Sequence, residues 1–122
     1  MTNKHLEDAK TWFESGVKSF EKNNRVAVAQ FTHSMIKALD ALFQEKIGEI
    51  PSRHDKSIEY FKELLKKNLI KKEESKYKRT IRDILQEKND ADYYGKYFSK
   101  SDADKRRKQV KRIIEMVEKY VD

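Results

Sequence analysis

The sequence predicts an all-α protein, a single-domain, up-and-down bundle of about five helices. Three observations carry this. Across 122 residues there are only three Gly and one Pro, so helix breakers are rare. Apolar residues recur every three or four positions along most of the chain, the spacing of one helical face. No alternating run of β-branched residues signals a strand. A chain of this length reads as one domain, residues 1–122, and buries about two thirds of its unfolded surface without a staple.

The central element is the stretch from Arg25 to Ile47. Val28, Phe31, Met35, Leu39 and Leu42 form one apolar stripe, and Ala29, Ile36, Phe43 and Ile47 lie beside it. Ala27, Ala38 and Ala41 permit close approach. A helix apolar over more than half its circumference packs on several sides. Before it, Leu6, Ala9, Trp12, Phe13, Val17 and Phe20 stripe a first helix over Asn3 to Lys22. Gly16 interrupts that stripe, and a close helix crossing is the expected reason. Asn23-Asn24 is the polar break, with Asn24 a candidate cap for the central helix. So short a connection makes the two helices antiparallel.

Gly48 ends the central helix and Pro51 blocks its continuation. Asp55 or Ser52 is placed to cap a third helix that runs to about Leu69, with Ile58, Phe61, Leu64 and Leu65 inward and Asn68 at its fraying end. A fourth, from about Glu73 to Lys88, presents Tyr77, Ile81, Ile84 and Leu85. An aromatic and turn-rich segment follows. Ser99 and Asp102 then form a capping box for the last helix, Ser101 to Val121, whose seam is Ala103, Val110, Ile113, Ile114, Val117, Tyr120 and Val121.

There is no cysteine, which excludes disulfides and thiolate chemistry. With no apolar run of spanning length and no signal-peptide core at the start, a cytoplasmic protein that does not enter the membrane is expected. The net charge of +7 is one-sided: residues 1–50 carry seven basic and seven acidic residues, so the excess lies in the remainder. A basic half attracts polyanions, nucleic acid most commonly, although a solvated, salt-bridge-laced surface has the same composition. Lys105, Lys108, Lys111 and Arg112 are the candidate phosphate contacts. Lys105, Lys108 and Arg112 share a face opposite the seam, with Arg106 and Arg107 flanking it. Tyr93, Tyr94, Tyr97 and Phe98 either stack on unpaired bases or plug the end of the bundle.

The three histidines, His5, His33 and His54, have no partners at metal-ligand spacing, so no metal is expected. His33 lies mid-helix, where a structural role outweighs a catalytic one. With Gln30 and Lys37 it is the polar part of the central helix that packing explains least, and marks a polar pocket or a dimer seam. No phosphate-binding glycine loop, nucleophile elbow or carboxylate pair occurs. No catalytic residue is assigned, and no cofactor.

Several stretches together resemble one family. The opening AKTWFESGVKSF, the Ala-rich RVAVAQFTHSMIKALDALF, the PSRHD loop and the late KNDADYYGKYFSKSDADKRRKQVKRIIEMVEKYV resemble HEPN domains, the nucleotide-binding helical domains of higher eukaryotes and prokaryotes. The resemblance covers nearly the whole chain. It implies a five-helix bundle, often a homodimer, with links to RNA cleavage, RNA or nucleotide binding, and pairing with a minimal nucleotidyltransferase in toxin–antitoxin systems. It places Lys88, Asn89, Asp92 and Tyr93 near the pocket. Nuclease members carry an Arg, four to six intervening residues, and then a His. Here Lys88-Asn89 stands where Arg-Asn would be, Tyr93 or Tyr94 falls near the His position, and no His follows residue 54. Without an imidazole, metal-free cleavage lacks its general acid and base. The expectation is a non-catalytic binder of RNA, a nucleotide or a partner nucleotidyltransferase. The alternatives are a divergent ribonuclease toxin working through Arg25, His33 or the tyrosines, and a purely structural interaction module.

Overall fold

A computed structural model describes residues 3–92 and 96–121, with side chains described through residue 88 and again from residue 96. Among the described residues five α-helices follow one another: α1 (Lys4–Ser19), α2 (Asn24–Ile47), α3 (Ser57–Lys66), α4 (Lys78–Asp92) and α5 (Lys100–Glu118). Short 3-10 turns, His54–Lys56 and Lys72–Tyr77, precede α3 and α4. Among the described residues there is no strand. The helix α2 is the axis, and each of the other four packs on it.

The α1–α2 hairpin is the most extensive contact. Asn3 caps α1 by accepting from the backbone N–H groups of His5 and Leu6. The helix stops at Ser19, short of the expected Lys22, and Glu21 turns the chain with a left-handed φ of 76°. Asn23, rather than Asn24, caps α2 through a 3.1 Å bond from the Val26 N–H. Gly16 is where the two helices meet. A Cβ there would lie 2.5 Å from the Phe31 ring, so the ring occupies the space glycine leaves. Across the same interface the Ser34 hydroxyl donates to the Ala9 carbonyl at 2.6 Å.

The first stripe of α2 is buried throughout, whereas of the second Ile36 and Phe43 are buried, Ala29 is half-buried and Ile47 is exposed. Phe31, Met35, Leu39, Leu42 and Phe43 are fully enclosed, and each such side chain contributes about 1.5–3 kcal/mol. Gly48 closes the helix in the left-handed region, φ 82°, its N–H donating to the carbonyls of Phe43 and Gln44. The third helix ends at Lys66, with Asn68 in the left-handed region at φ 59°. Neither Ser52 nor Asp55 caps it through a side chain. Asp55 instead pairs with Arg53 at 2.8 Å, and that bond holds its carboxyl below the usual range. The α4 helix begins at Lys78, later than expected, because Lys72–Tyr77 forms a tighter turn. At α5 the Ser99–Asp102 capping box is present in both directions, at 2.9 and 3.0 Å. No helix among the described residues is long and apolar enough to cross a membrane.

Candidate functional site

The helices α4 and α5 both lie on α2 but hardly touch each other. The gap between them is a groove. At its wider end is a cleft of about 490 Å³, lined by Asp83, Ile84, Gln86 and Glu87 of α4, by Lys96 and Phe98, and by Asp102, Lys105, Arg106 and Gln109 of α5. These positions recur at three- and four-residue spacing, so each helix contributes one face.

Arg106 organises this cleft. It follows Ala103 by three residues and precedes Val110 by four, so it belongs to the inward seam of α5 and not to the flank of a solvent-facing strip. Its side chain is only 6% exposed. Nη1 donates to the Thr32 hydroxyl at 2.8 Å, and Nη2 donates to Glu87 Oε1. The Thr32 hydroxyl in turn donates to the Val28 carbonyl at 2.8 Å. Three helices are thereby joined through one guanidinium. Burial pushes Arg106 below the ordinary arginine value, and the Glu87 carboxylate opposes that. Its Nε is buried without a hydrogen-bond partner. A buried N–H left unmade is costly.

Acids and bases line the cleft in equal number, but the acids are engaged. Glu87 holds Arg106 and, through Oε2, Lys96 at 3.5 Å. Asp102 accepts from the Ser99 backbone, which with the Ser99 side chain keeps its carboxyl below the usual range. Asp83 lies 3.8 Å from Arg79 and 3.9 Å from Arg82. What remains facing the space is Lys105 and the amides of Gln86 and Gln109, with the Arg106 side chain in the wall. The cleft is therefore richer in donors than acceptors, which suits an anionic or carbonyl-bearing ligand.

The residues expected from sequence divide. Lys105 lines the cleft, and Arg112 lines the groove beyond it. Lys108 pairs with Asp104 at 3.1 Å; Asp104, held low by Arg107 and Lys108, ties that side of α5 to itself. Lys111 is exposed and outside the lining. Lys88 is half-buried on α4, one residue past Glu87. Asn89 and Asp92 belong to the last turns of α4, but their side chains, and Tyr93 altogether, lie outside the described residues. Phe98 is buried against Val28, Ala103 and Phe20, so it plugs the bundle end, whereas Tyr97 is 82% exposed.

Gln30, His33 and Lys37 are half-buried on one face of α2, away from the cleft. The His33 ring lies 5.2 Å from that of Trp12 on α1, and the Gln30 Oε1 is buried without a partner. Beyond Lys37, burial raises the Asp40 carboxyl above its usual range, against the charges of His5, Lys37 and His54. Sequence reasoning also missed Glu74. It is fully buried, and its Oε2 accepts from the Tyr120 hydroxyl at 2.6 Å and from Lys119 at 2.9 Å. Among the described residues no cluster of His, Asp or Glu has the arrangement of a metal site.

The all-α bundle accompanies a family match over nearly the whole sequence. Residues 2–120 match the HEPN domain family, and the chain belongs to that family, one associated with nucleotide binding and RNA cleavage. No curated protein and no solved structure matches it significantly.

Proposed function

We propose that the cleft between α4 and α5 binds a nucleotide or the phosphates of RNA, without cleaving them. The observation that carries this is Lys105 beside the buried Arg106 guanidinium, in a cleft whose acids are already engaged. A nucleotide offers phosphate oxygens to the cations and base edges to Gln86 and Gln109. The described lining contains no histidine, so proton transfer by imidazole has no group there. Membership in the HEPN family supports the ligand class. Single-stranded RNA in a filter-binding titration at several salt concentrations tests the reading. Binding at low salt with log K falling against log salt is expected, by about 0.7 per phosphate contact, and Lys105→Glu should abolish it. Intact RNA after long incubation is the expected companion result. Cleavage that is lost in His33→Ala would instead favour a divergent ribonuclease toxin.

A second reading has its own observation. Trp12 is 38% exposed beside His33, so the α1–α2 face suits a protein surface, either a second copy in a homodimer or a nucleotidyltransferase partner in a toxin–antitoxin-like pair. Sedimentation of wild type against Trp12→Glu distinguishes a dimer from a monomer. Co-purification with a co-expressed nucleotidyltransferase tests the heterologous pairing.

A further inference from the structure

The groove does not end at the cleft. Gln109 lines both the cleft and a second cavity of about 380 Å³, walled by Lys76, Tyr77, Thr80 and Arg112. From Asp102 to Arg112 the α5 face runs about 15 Å, at 1.5 Å per residue. Each cavity lies within the roughly 300–1,000 Å³ of an ordinary small-ligand pocket. Two linked pockets of that size exceed what one mononucleotide fills.

The second cavity differs in chemistry from the first. Its lining has two cations and no acid. Arg112 is exposed and, among the described residues, makes no ion pair, while the Lys76 ammonium lies 5.4 Å from the Tyr77 ring centroid. Tyr77 is half-buried and packed against the core, which holds its ring as a fixed platform. Thr80 adds a half-buried hydroxyl. A flat ring with cations around it takes an unpaired base and its phosphate. In a duplex the base faces are stacked on one another and closed to such a ring.

We propose that Lys76, Tyr77, Thr80 and Arg112 form a second nucleotide subsite, so that the groove's ligand is a single-stranded oligonucleotide rather than a mononucleotide. This rests on the reading that the cleft takes the first nucleotide. The base stacks on Tyr77 and displaces the Lys76 ammonium to a phosphate. Arg112 contacts the same or the next phosphate, and Gln109 lies between the two subsites.

Calorimetric or fluorescence titration of the whole protein with adenosine monophosphate and with a single-stranded RNA tetramer of adenosines tests this. The tetramer is expected to bind at least tenfold more tightly at low salt. Tyr77→Leu should weaken the tetramer about tenfold, as expected for loss of one stacked base, and leave the monophosphate unchanged. Arg112→Gln, at an exposed position with little risk to folding, should weaken only the tetramer and flatten its salt slope by about 0.7. A tetramer no tighter than the monophosphate, or an Arg112→Gln effect equal on both, overturns the second subsite and leaves the cleft reading standing. If neither probe binds at low salt, the cleft reading falls and the second subsite with it.

Discussion

Arg106 and Glu87 form a pair whose two members should respond unequally to removal. The Arg106 side chain is 6% exposed and that of Glu87 37%. Replacing Glu87 with Met leaves a buried guanidinium with only the Thr32 hydroxyl at Nη1. Stranding a buried charge costs about 3–5 kcal/mol, and the low end applies here because Glu87 is partly solvated. Replacing Arg106 with Met removes the buried charge itself, and its unpaired Nε with it. Glu87 then keeps Lys96 at 3.5 Å and water, and the Thr32 hydroxyl keeps the Val28 carbonyl at 2.8 Å. With an apolar chain of similar length in the same space, the net cost is about 1 kcal/mol or less. Urea unfolding followed by helical circular dichroism at neutral pH measures both. The double variant should be more stable than Glu87→Met alone, because it removes the stranded charge. An Arg106→Met loss equal to or larger than the Glu87→Met loss would refute the argument, and would mean that the guanidinium is held by more than this pair.

Two further outcomes follow from burial. Gly16→Ala adds a Cβ that would lie 2.5 and 2.6 Å from ring atoms of Phe31; the overpacking should exceed the gain in helix propensity, for a net loss of about 1–2 kcal/mol. Phe31→Leu in the same chain should recover part of it, and simple additivity of the two losses would exclude the steric cause. Asp40 has a folded-state value raised above 3.8, so the fold prefers its neutral form. The stability this contributes is fully present below pH 3.8 and is lost as pH rises through the folded value. Asp40→Asn should therefore unfold at higher denaturant than wild type at neutral pH, and the difference should vanish in acid below that value. A loss of stability at neutral pH would show that the carboxylate is needed in its charged form.

What the sequence makes legible is what neighbours in the chain decide. The central helix, the glycine at the α1–α2 crossing and the Ser99–Asp102 capping box depend on spacings of three to seven residues, and all three are as expected. The groove depends on which faces of two separate helices end up opposed, so only part of it is visible beforehand. Lys105 and Arg112 reach it, while Lys108 is claimed by Asp104 one turn away. Arg106 shows why residue type misleads. Its position continues the seam from Ala103 to Val110, yet its charge invites grouping with the surface lysines. The position was the better guide, because Glu87 and Thr32 wait on the inner side. Glu74 left no local sign at all, since the groups that stabilise it, Lys119 and Tyr120, come from the far end of the chain.

The position of α2 also sets an order of events during synthesis. Its partner in the hairpin, α1, is made just before it, so their interface can close as soon as α2 emerges, with little loop entropy to overcome. The side of α2 that α5 covers has no such early partner. It stays open while α3 and α4 are made, and Val110, Ile113 and Val117 arrive only when α5 is made. Until then the growing polypeptide presents an apolar strip of the kind that chaperones hold and that drives aggregation. A nascent chain halted before α5 should therefore be retained by such factors, and one extended past α5 released.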